Sequence, residues 1–240
     1  MTTDAIQRMI ERHGPDRVCE ALAPLLTAER IARIDQVLSA RLTSVVALVE
    51  DTYDPHNAAA TIRTTEAIGL AELHVVEPEE RFSAAGGVTC GAHKWIELHR
   101  WRSAEAAIGA LHDRGFRVFA ALPGAAQTVD DIDVGGPIAV AFGNEHAGLT
   151  AGAIAACDGG VAVPMFGFTG SLNLSVTVAL AMDRIAARRR AAIDALGDLD
   201  DRRRSVLRAR WFALKIRGVV GILERALGGS GPSGASEASG

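Results

Sequence analysis

The chain has 240 residues, of which 48% are hydrophobic and 22% are charged, so it can bury one sizeable core and carry helical extensions. Its three cysteines, Cys19, Cys90 and Cys157, form no C-x-x-C pair and are too scattered for a disulfide framework, which favours a reducing cytoplasm. The N-terminus lacks a signal-peptide pattern, and no apolar run reaches the roughly 18 residues that a membrane span needs. We therefore expect an unexported protein without a membrane segment.

Charge is distributed unevenly along the chain. The formal net charge is -4, whereas nucleic-acid-binding domains usually have a pI above about 9. Residues 1–41 hold six basic and six acidic residues. Residues 42–183 hold seven basic and seventeen acidic residues, whereas residues 184–225 hold twelve basic and five acidic residues. An acidic body thus carries a basic C-terminal arm, so the net charge alone does not exclude a nucleic-acid partner. The alternative is that the arginine triplets at 188–190 and 202–204 are solvated helix faces.

Hydrophobic periodicity predicts the elements in chain order. Residues 4–41 form short helices broken at Pro15 and Pro24. From residue 44 onwards, short apolar or β-branched runs alternate with helical stretches, which predicts a mostly parallel sheet with helices on both faces. The predicted strands are 44–50, 71–78, 95–100, 116–122, 138–143 and 160–165. A helix follows the last strand, a second spans roughly 200–226, and the Gly/Ser-rich end is predicted to be disordered.

Three segments place polar, small and glycine residues after a predicted strand, where open α/β sheets bind their ligands. The first puts Asp54, His56 and Asn57 at a helix start. Asn57 and Arg63 are six residues apart, so they do not share one helix face, although both can border one cleft. Alternatively, Asn57 caps the helix and Arg63 is an ordinary surface residue.

The second segment is AVAFGNEHAGLT, residues 139–150. Gly143 allows another backbone or a ligand to approach closely. Glu145 can accept hydrogen bonds from a ligand or from a neighbouring loop. Taken alone, a strand followed by glycine and a polar turn is common and can be a plain connection.

The third segment, VAVPMFGFTGSLNLSV, follows the last predicted strand. Pro164, Gly167 and Gly170 are expected to shape a loop whose backbone groups can hydrogen-bond an adenine or a ribose. Ser171 and Asn173 then open a helix, whose first N–H groups lack partners within the helix. Alternatively, Ser171 is an ordinary N-cap and Asn173 lies in the first turn.

Several competing chemistries lack their motifs. The sequence has no G-x-G-x-x-G and no G-x-x-x-x-G-K-[ST], so neither a dinucleotide site nor a P-loop is supported. TGSLN does not match G-x-S-x-G, which weakens a serine hydrolase. There is no H-E-x-x-H, and His93 and His99 have no cysteine partners, so no metal site is expected.

Together and in this order, the three segments resemble the signature motifs of the SpoU branch of SPOUT RNA 2′-O-ribose methyltransferases. Those motifs are N-x-x-x-x-x-R, F-G-x-E-x-x-G and I/V-P-M-x-G-x-x-x-S-L-N-x-S. The resemblance spans roughly residues 28–190, and GAHKWIEL at 91–98 is similar to the tRNA guanosine 2′-O-methyltransferase (TrmH) subgroup in particular. Joint occurrence at the right spacing is far more specific than any single motif.

The resemblance implies an α/β fold with a mostly parallel sheet, helices on both faces and a C-terminal trefoil knot. It implies a homodimer that binds S-adenosyl-L-methionine in the knot loops and methylates a ribose of RNA, most specifically guanosine 18 in the tRNA D-loop. The expected division is a helical N-terminal extension (1–41), a SPOUT methyltransferase domain (42–190), a basic helical arm (191–226) and a disordered tail (227–240). Trp211 of the arm would stack on RNA bases.

Site residues carry over from the motifs position by position. The implied catalytic residues are Arg63, Asn57, Ser171, Asn173 and Glu145. The implied cofactor-binding residues are Ala121, Leu122, Gly143, Val163, Met165, Gly167 and Leu172. The implied RNA-binding residues are Arg30, Arg33, Arg41, His56 and Lys94.

Two other functions compete with tRNA methylation. A ribosomal RNA 2′-O-ribose methyltransferase of the same fold would share all three motifs. A non-catalytic SPOUT-like RNA-binding protein would share the fold but would not need the intact polar residues of the motifs, which argue against it.

Overall fold

The computed structural model describes residues 2–52, 54–77, 89, 91–214 and 216–228. The chain divides into two compact units, one made of Met1–Ser39 and Leu199–Gly240 and the other of Ala40–Asp198. The predicted N-terminal extension and C-terminal arm are therefore parts of one helical unit. The central unit ends at Asp198, whereas the sequence predicted that the central domain ends at residue 190.

The Ala40–Asp198 unit is built on a parallel sheet of seven strands in the part of the chain that the structure describes. Its strands, numbered along the chain, are β1 (Val45–Glu50), β2 (Glu72–Val76), β3 (Glu97–Trp101), β4 (Arg117–Ala121), β5 (Gln127–Thr128), β6 (Ile138–Phe142) and β7 (Gly159–Ala162). Their order in the sheet is β3-β2-β1-β6-β4-β7-β5, and all neighbours run parallel. Every residue of β1, β2 and β6 is buried, as expected for strands covered on both faces.

Four helices cover the two faces of this sheet. They are α4 (Pro55–Ala67), α5 (Ala104–Asp113), α6 (Ala151–Ala156) and α7 (Leu174–Ile193), and a short 3-10 turn spans Ala92–Lys94. Side chains of α4 and α7 share one apolar cluster with alternate residues of β1, whereas α5 and α6 share the other cluster with the intervening residues. The predicted α/β architecture is confirmed, although β5 was not predicted.

The helical unit contains α1 (Thr2–His13), α2 (Pro15–Leu22), α3 (Ala28–Ser39), α8 (Asp201–Ala213) and α9 (Val219–Gly228), with a 3-10 turn at Ala23–Leu25. The prediction of one helix over 200–226 was wrong. Two helices are separated at Gly218, whose φ of 65° lies in the left-handed region that favours glycine. The helix α9 continues to Gly228, so the predicted tail begins too early, and residues 229–240 lie outside the described residues.

Part of the basic arm is used for contacts within the helical unit. Trp211 is only 2% exposed and packs inside the helical unit, so the prediction that it stacks on RNA bases was wrong. Arg208 forms a two-point ion pair with Asp35, with N–O distances of 2.6 and 2.9 Å, and Arg210 donates to Gln7. These contacts tie α8 to α3 and α1.

The arginines at 188–190, near the end of α7, hold backbone segments of the Ala40–Asp198 unit together. Five backbone carbonyls accept bonds of 2.6 to 3.0 Å from these guanidinium groups, namely those of Val129, Ile132, Val134, Ile68 and Leu196. A guanidinium carries five N–H donors and therefore satisfies several carbonyls at once. Neither a solvated helix face nor an RNA contact describes this triplet.

No helix in the described ranges is both long enough and apolar enough to cross a membrane.

Candidate active site

The three motif segments meet at one edge of the sheet because of the strand order. The strands β1, β6, β4 and β7 are consecutive neighbours, and all run parallel. The first motif follows β1, the second follows β6 and the third follows β7, while Ala121 and Leu122 end β4. Segments far apart in sequence therefore share the edge at which α/β sheets bind ligands.

A pocket of about 330 Å³ opens at this edge. Six of the seven predicted cofactor residues line it, namely Ala121, Leu122, Gly143, Val163, Met165 and Leu172. Glu145 and Ser171 line it as well, whereas the seventh predicted residue, Gly167, does not. The volume lies within the range of about 300–1,000 Å³ that is usual for small-molecule sites.

A chain of side-chain hydrogen bonds joins the three motifs beside this pocket. Ser175 donates from its backbone N and its hydroxyl to Asn173 Oδ1, at 2.9 and 2.7 Å. Asn173 Nδ2 donates to Asn57 Oδ1 at 2.9 Å, and Asn57 Nδ2 donates to Glu145 Oε1 at 2.5 Å. The Asn57 side chain is buried and is held at both ends of its amide. Below, we call Ser175, Asn173, Asn57 and Glu145 the polar chain.

The helix caps differ from the alternatives that the sequence left open. Asp54 caps α4, since its carboxylate accepts the backbone N–H of His56, and Pro55 occupies the first helical position. Asn57 is therefore not the cap and can serve the polar chain. At α7 the cap is Asn173 rather than Ser171, because Asn173 accepts from the N–H of Ser175.

Arg63 lies on α4 but outside the polar chain. Its side chain is exposed, and among the described residues it has neither a hydrogen bond nor an ion pair. The buried Asn57 and the exposed Arg63 fit the six-residue spacing, which places them on different faces of one helix. A free guanidinium at this position is available to an anion from outside the unit.

The loop of the second motif is fixed by contacts that the sequence did not reveal. A Cβ on Gly143 would lie 2.0 Å from the carbonyl carbon of Gly148, so this glycine serves a close approach of backbone rather than of a ligand. Asn144 Nδ2 donates to the carbonyl of Asp51 at 2.5 Å. The buried carboxylate of Glu50 accepts from the backbone N and the hydroxyl of Thr150. Only the threonine, as an N-cap before an apolar helix, carried a sequence signal.

The loop of the third motif is open and apolar. Phe166 and Phe168 are almost completely exposed, at 97% and 111% of the reference area. Neither Gly167 nor Gly170 has a positive φ, and a Cβ on either glycine would meet no atom within 4 Å. The expectation that these two glycines shape the loop was therefore wrong.

The predicted RNA-binding residues separate into accessible and buried groups. His56 and Lys94 are exposed on the Ala40–Asp198 unit, and Arg33 is exposed on α3, where Arg30 is half-buried. Arg41 is 1% exposed, and its guanidinium donates to the carboxylate and carbonyl of Glu66 and to a further backbone carbonyl. Burial lowers the pKa of Arg41, while the Glu66 carboxylate opposes this. Arg41 is a structural residue, and its prediction as an RNA contact was wrong.

One cluster of possible metal ligands lies on β2 and β3. Ligand atoms of Glu72, His74 and His99 lie within 4.8 Å of one another. Arg114 already donates to Glu72, and the indole N–H of Trp101 donates to His74 Nδ1 at 3.1 Å. Burial, assisted by His99, lowers the pKa of His74 to about 4. The sequence singled out His99 but missed His74, which the parallel register places beside it.

Comparison with known proteins agrees with this geometry. Residues 44–183 match the SpoU rRNA Methylase family. The tRNA (guanosine(18)-2′-O)-methyltransferase of Borreliella burgdorferi is 35% identical over 193 residues, which cover 80% of this chain and 88% of that protein. The Thermus thermophilus protein of the same name is 37% identical over 155 residues, covering 64% and 80%.

Solved structures show the same fold. The A. aeolicus TrmH/SpoU tRNA modifying enzyme superposes with a TM-score of 0.69 at 23% identity, covering 77% of this chain and 95% of that chain. The SpoU methyltransferase AviRb from Streptomyces viridochromogenes, in complex with AdoMet, gives 0.54 at 23% identity, covering 60% of each chain. The matched residues include all three motifs and the polar chain. The chain therefore belongs to the SpoU methylase family.

Proposed function

We propose that this chain transfers a methyl group from S-adenosylmethionine to the 2′-oxygen of guanosine 18 in tRNA. The polar chain carries the proposal, because it joins residues of all three motifs and reaches the pocket lining at Glu145. The names of relatives at 33–37% identity support guanosine 18 as the target. The same evidence argues against a non-catalytic RNA-binding protein, which has no need of this geometry.

The pocket suits S-adenosylmethionine in both size and lining. Apolar side chains such as Leu122, Val163 and Leu172 can hold the adenosine, while backbone groups of the irregular segments after β4 and β7 can bond its polar edges. Glu145 and Ser171 supply polar groups to the same lining. When bound, the cofactor supplies a methyl group that its positively charged sulfur has already activated.

The residues of the chain then have to align a ribose hydroxyl and help it to lose its proton. The polar chain holds the side chains of Asn57 and Asn173 in one hydrogen-bonded series that ends at Glu145 of the pocket lining. Arg63 is not a general base, because a guanidinium stays protonated at physiological pH. Instead, Arg63 binds the phosphate next to the ribose and lowers the pKa of the hydroxyl electrostatically, and the proton leaves through phosphate or water.

The experiment is an Arg63→Ala substitution assayed on transcripts of both tRNA and ribosomal RNA. We expect loss of tritiated-methyl transfer to tRNA, with S-adenosylmethionine affinity in calorimetry changed by less than about threefold, because Arg63 lies outside the pocket lining. Arg12→Ala, an exposed arginine on α1, is the matched control. If Arg63→Ala loses cofactor binding together with activity, the role given to Arg63 is contradicted. If wild type methylates ribosomal RNA and not tRNA, tRNA is contradicted as the substrate.

We further propose that the chain acts as a homodimer. The apolar side chains of Phe166, Phe168, Val176 and Leu180 are exposed on the third-motif loop and on α7. Val176 and Leu180 are four residues apart, so they share one face of that helix. Large exposed apolar groups of this kind are typical of interaction sites. The dimer expected from the family resemblance would cover them and would bring a second subunit to Arg63.

Two further proposals concern the location of the protein and the topology of its chain. Cys19 and Cys157 are free thiols, which supports a cytoplasmic location. The trefoil knot stays a prediction from the family resemblance.

A further inference from the structure

Asn144 lies between Gly143 and Glu145 at the end of β6, and its side chain contacts two different loops. Its Nδ2 donates to the carbonyl of Asp51, in the connection that leads from β1 to α4. Its Oδ1 accepts from the backbone N–H groups of His146 at 2.8 Å and Ala147 at 3.2 Å. One amide therefore binds the loop before α4 with its donor and the pocket-lining loop with its acceptor.

The loop before α4 needs this support. Asp51 has a φ of 47°, in the left-handed region that a residue with a side chain rarely adopts. The bond from Asn144 to the Asp51 carbonyl fixes the peptide that follows this residue. Three residues further on, Asp54 caps α4, so the orientation of the Asp51 peptide affects where the helix begins.

Two further contacts join the same two segments of the chain. Glu50, just before Asp51, accepts from Thr150 at the end of the pocket-lining loop. Glu145, just after Asn144, accepts from Asn57 on α4. The segment from the end of β1 to α4 is thus joined at three points to residues 144–150. Along the β1-to-α4 segment, the contact of Asn144 lies between those of Glu50 and Asn57.

We infer that Asn144 is a positioning residue that sets the start of α4, and with it Asn57 and Arg63, relative to the pocket-lining loop. Asn144 acts through its two hydrogen-bonded loops and need not touch the RNA. The inference rests on the proposed function, in which Arg63 binds the phosphate beside the target ribose. It assigns to the second motif a part in alignment of the substrate as well as in binding of the cofactor.

The two ends of the amide can be separated by substitution. Asn144→Asp keeps an oxygen that accepts from His146 and Ala147, but it places an acceptor against the Asp51 carbonyl, so this bond is lost. Asn144→Ala removes both contacts. S-adenosylhomocysteine is the binding probe, because it lacks the sulfonium charge that a new carboxylate would attract.

We expect the affinity of Asn144→Asp for S-adenosylhomocysteine to stay within about threefold of wild type. Its single-turnover rate of methyl transfer at saturating RNA should fall at least about tenfold, because catalytic groups that are misplaced by a small distance lose much of their effect on the rate. Asn144→Ala should lose both cofactor affinity and methyl-transfer rate. Adding Asp51→Gly to Asn144→Asp should restore part of the rate, because glycine adopts a positive φ without strain. Because this glycine also relieves backbone strain and so adds general stability, the Tm of both variants is measured to separate a local rescue from a general one.

Hydrogen exchange gives a readout that does not depend on activity. In Asn144→Asp, amides of residues 54–60 should exchange faster, while those of residues 146–150 should keep wild-type protection. The inference is overturned if Asn144→Asp keeps both the methyl-transfer rate and the hydrogen exchange of wild type. It is also overturned if this variant loses methyl-transfer rate and cofactor affinity to the same extent. If wild type binds the cofactor but methylates no RNA, the proposed function fails, and the exchange experiment still decides whether Asn144 positions α4.

Discussion

Gly143 is the position at which one added methyl group should disrupt the candidate pocket. A Cβ on Gly143 would lie 2.0 Å from the carbonyl carbon of Gly148 and 2.1 Å from the backbone nitrogen of Leu149. Ordinary contact begins at 3.4 Å, so the backbone of these two residues would have to retreat by about 1.4 Å. A backbone cannot turn aside as the end of a long side chain can, and Leu149 is itself buried in the core.

Overpacking of this kind costs about 1–3 kcal/mol. For a chain of this size, each kcal/mol lowers the melting temperature by about 2–4 °C. The retreating loop also carries Asn144 and Glu145 away from the other walls of the pocket. We therefore expect Gly143→Ala to lower Tm by several degrees and to weaken S-adenosylmethionine binding in calorimetry by at least about tenfold.

Gly167→Ala, in the third motif, is the matched control. A Cβ on Gly167 meets no atom within 4 Å, its φ lies outside the left-handed region, and it does not line the pocket. This variant should keep wild-type Tm and cofactor affinity. Equal effects of the two alanines, or normal binding by a folded Gly143→Ala variant, would refute the steric argument.

Two further predictions concern stability and assembly. The pKa of His74 is lowered by burial to about 4, below the roughly 6.5 of an unfolded histidine, so the unfolded chain takes up the proton first as pH falls. In urea titrations, the free energy of unfolding of wild type should fall by about 2 kcal/mol more than that of His74→Gln between pH 7 and pH 5. A difference between the two proteins that does not change with pH would contradict this. Light scattering should give wild type twice the 25.2 kDa chain mass, with Val176→Asp shifted towards one chain. A monomeric wild type would reject the dimer.

The elements that the sequence predicted well are those whose pattern local chemistry determines. Near-continuous apolar runs predicted six strands, and the observed strands lie within a few residues of them. The strand Gln127–Thr128 was missed because two polar-side-chain residues carry no such signal. The helix predicted over 200–226 was wrong because apolar residues recur on both sides of the break, and the positive φ of Gly218 just before α9 is a backbone feature that apolar periodicity does not show.

The arginines show what a charge count cannot reveal. Arg41 and the triplet 188–190 resemble RNA contacts in sequence, yet their guanidinium groups bind carbonyls inside the fold. The same five N–H donors suit a phosphate or a carbonyl, so composition does not distinguish the two partners. For the site, six of the seven residues predicted to bind the cofactor line the pocket, but the contacts of Asn144 and Glu50 join positions about 100 residues apart in sequence.

The direction of the polar chain explains why the three motifs require one another. Every donor in it points the same way, from Ser175 through Asn173 and Asn57 to the carboxylate of Glu145. A buried amide can present either its N–H groups or its oxygen to a neighbour, so Asn57 alone would have no fixed orientation. A carboxylate has no hydrogen to donate, so Glu145 fixes which way Asn57 turns, and the Asn57 oxygen in turn fixes Asn173 at the start of α7. The carboxylate of Glu145, after β6, thereby fixes the position of α4, which follows β1, relative to the start of α7, which follows β7.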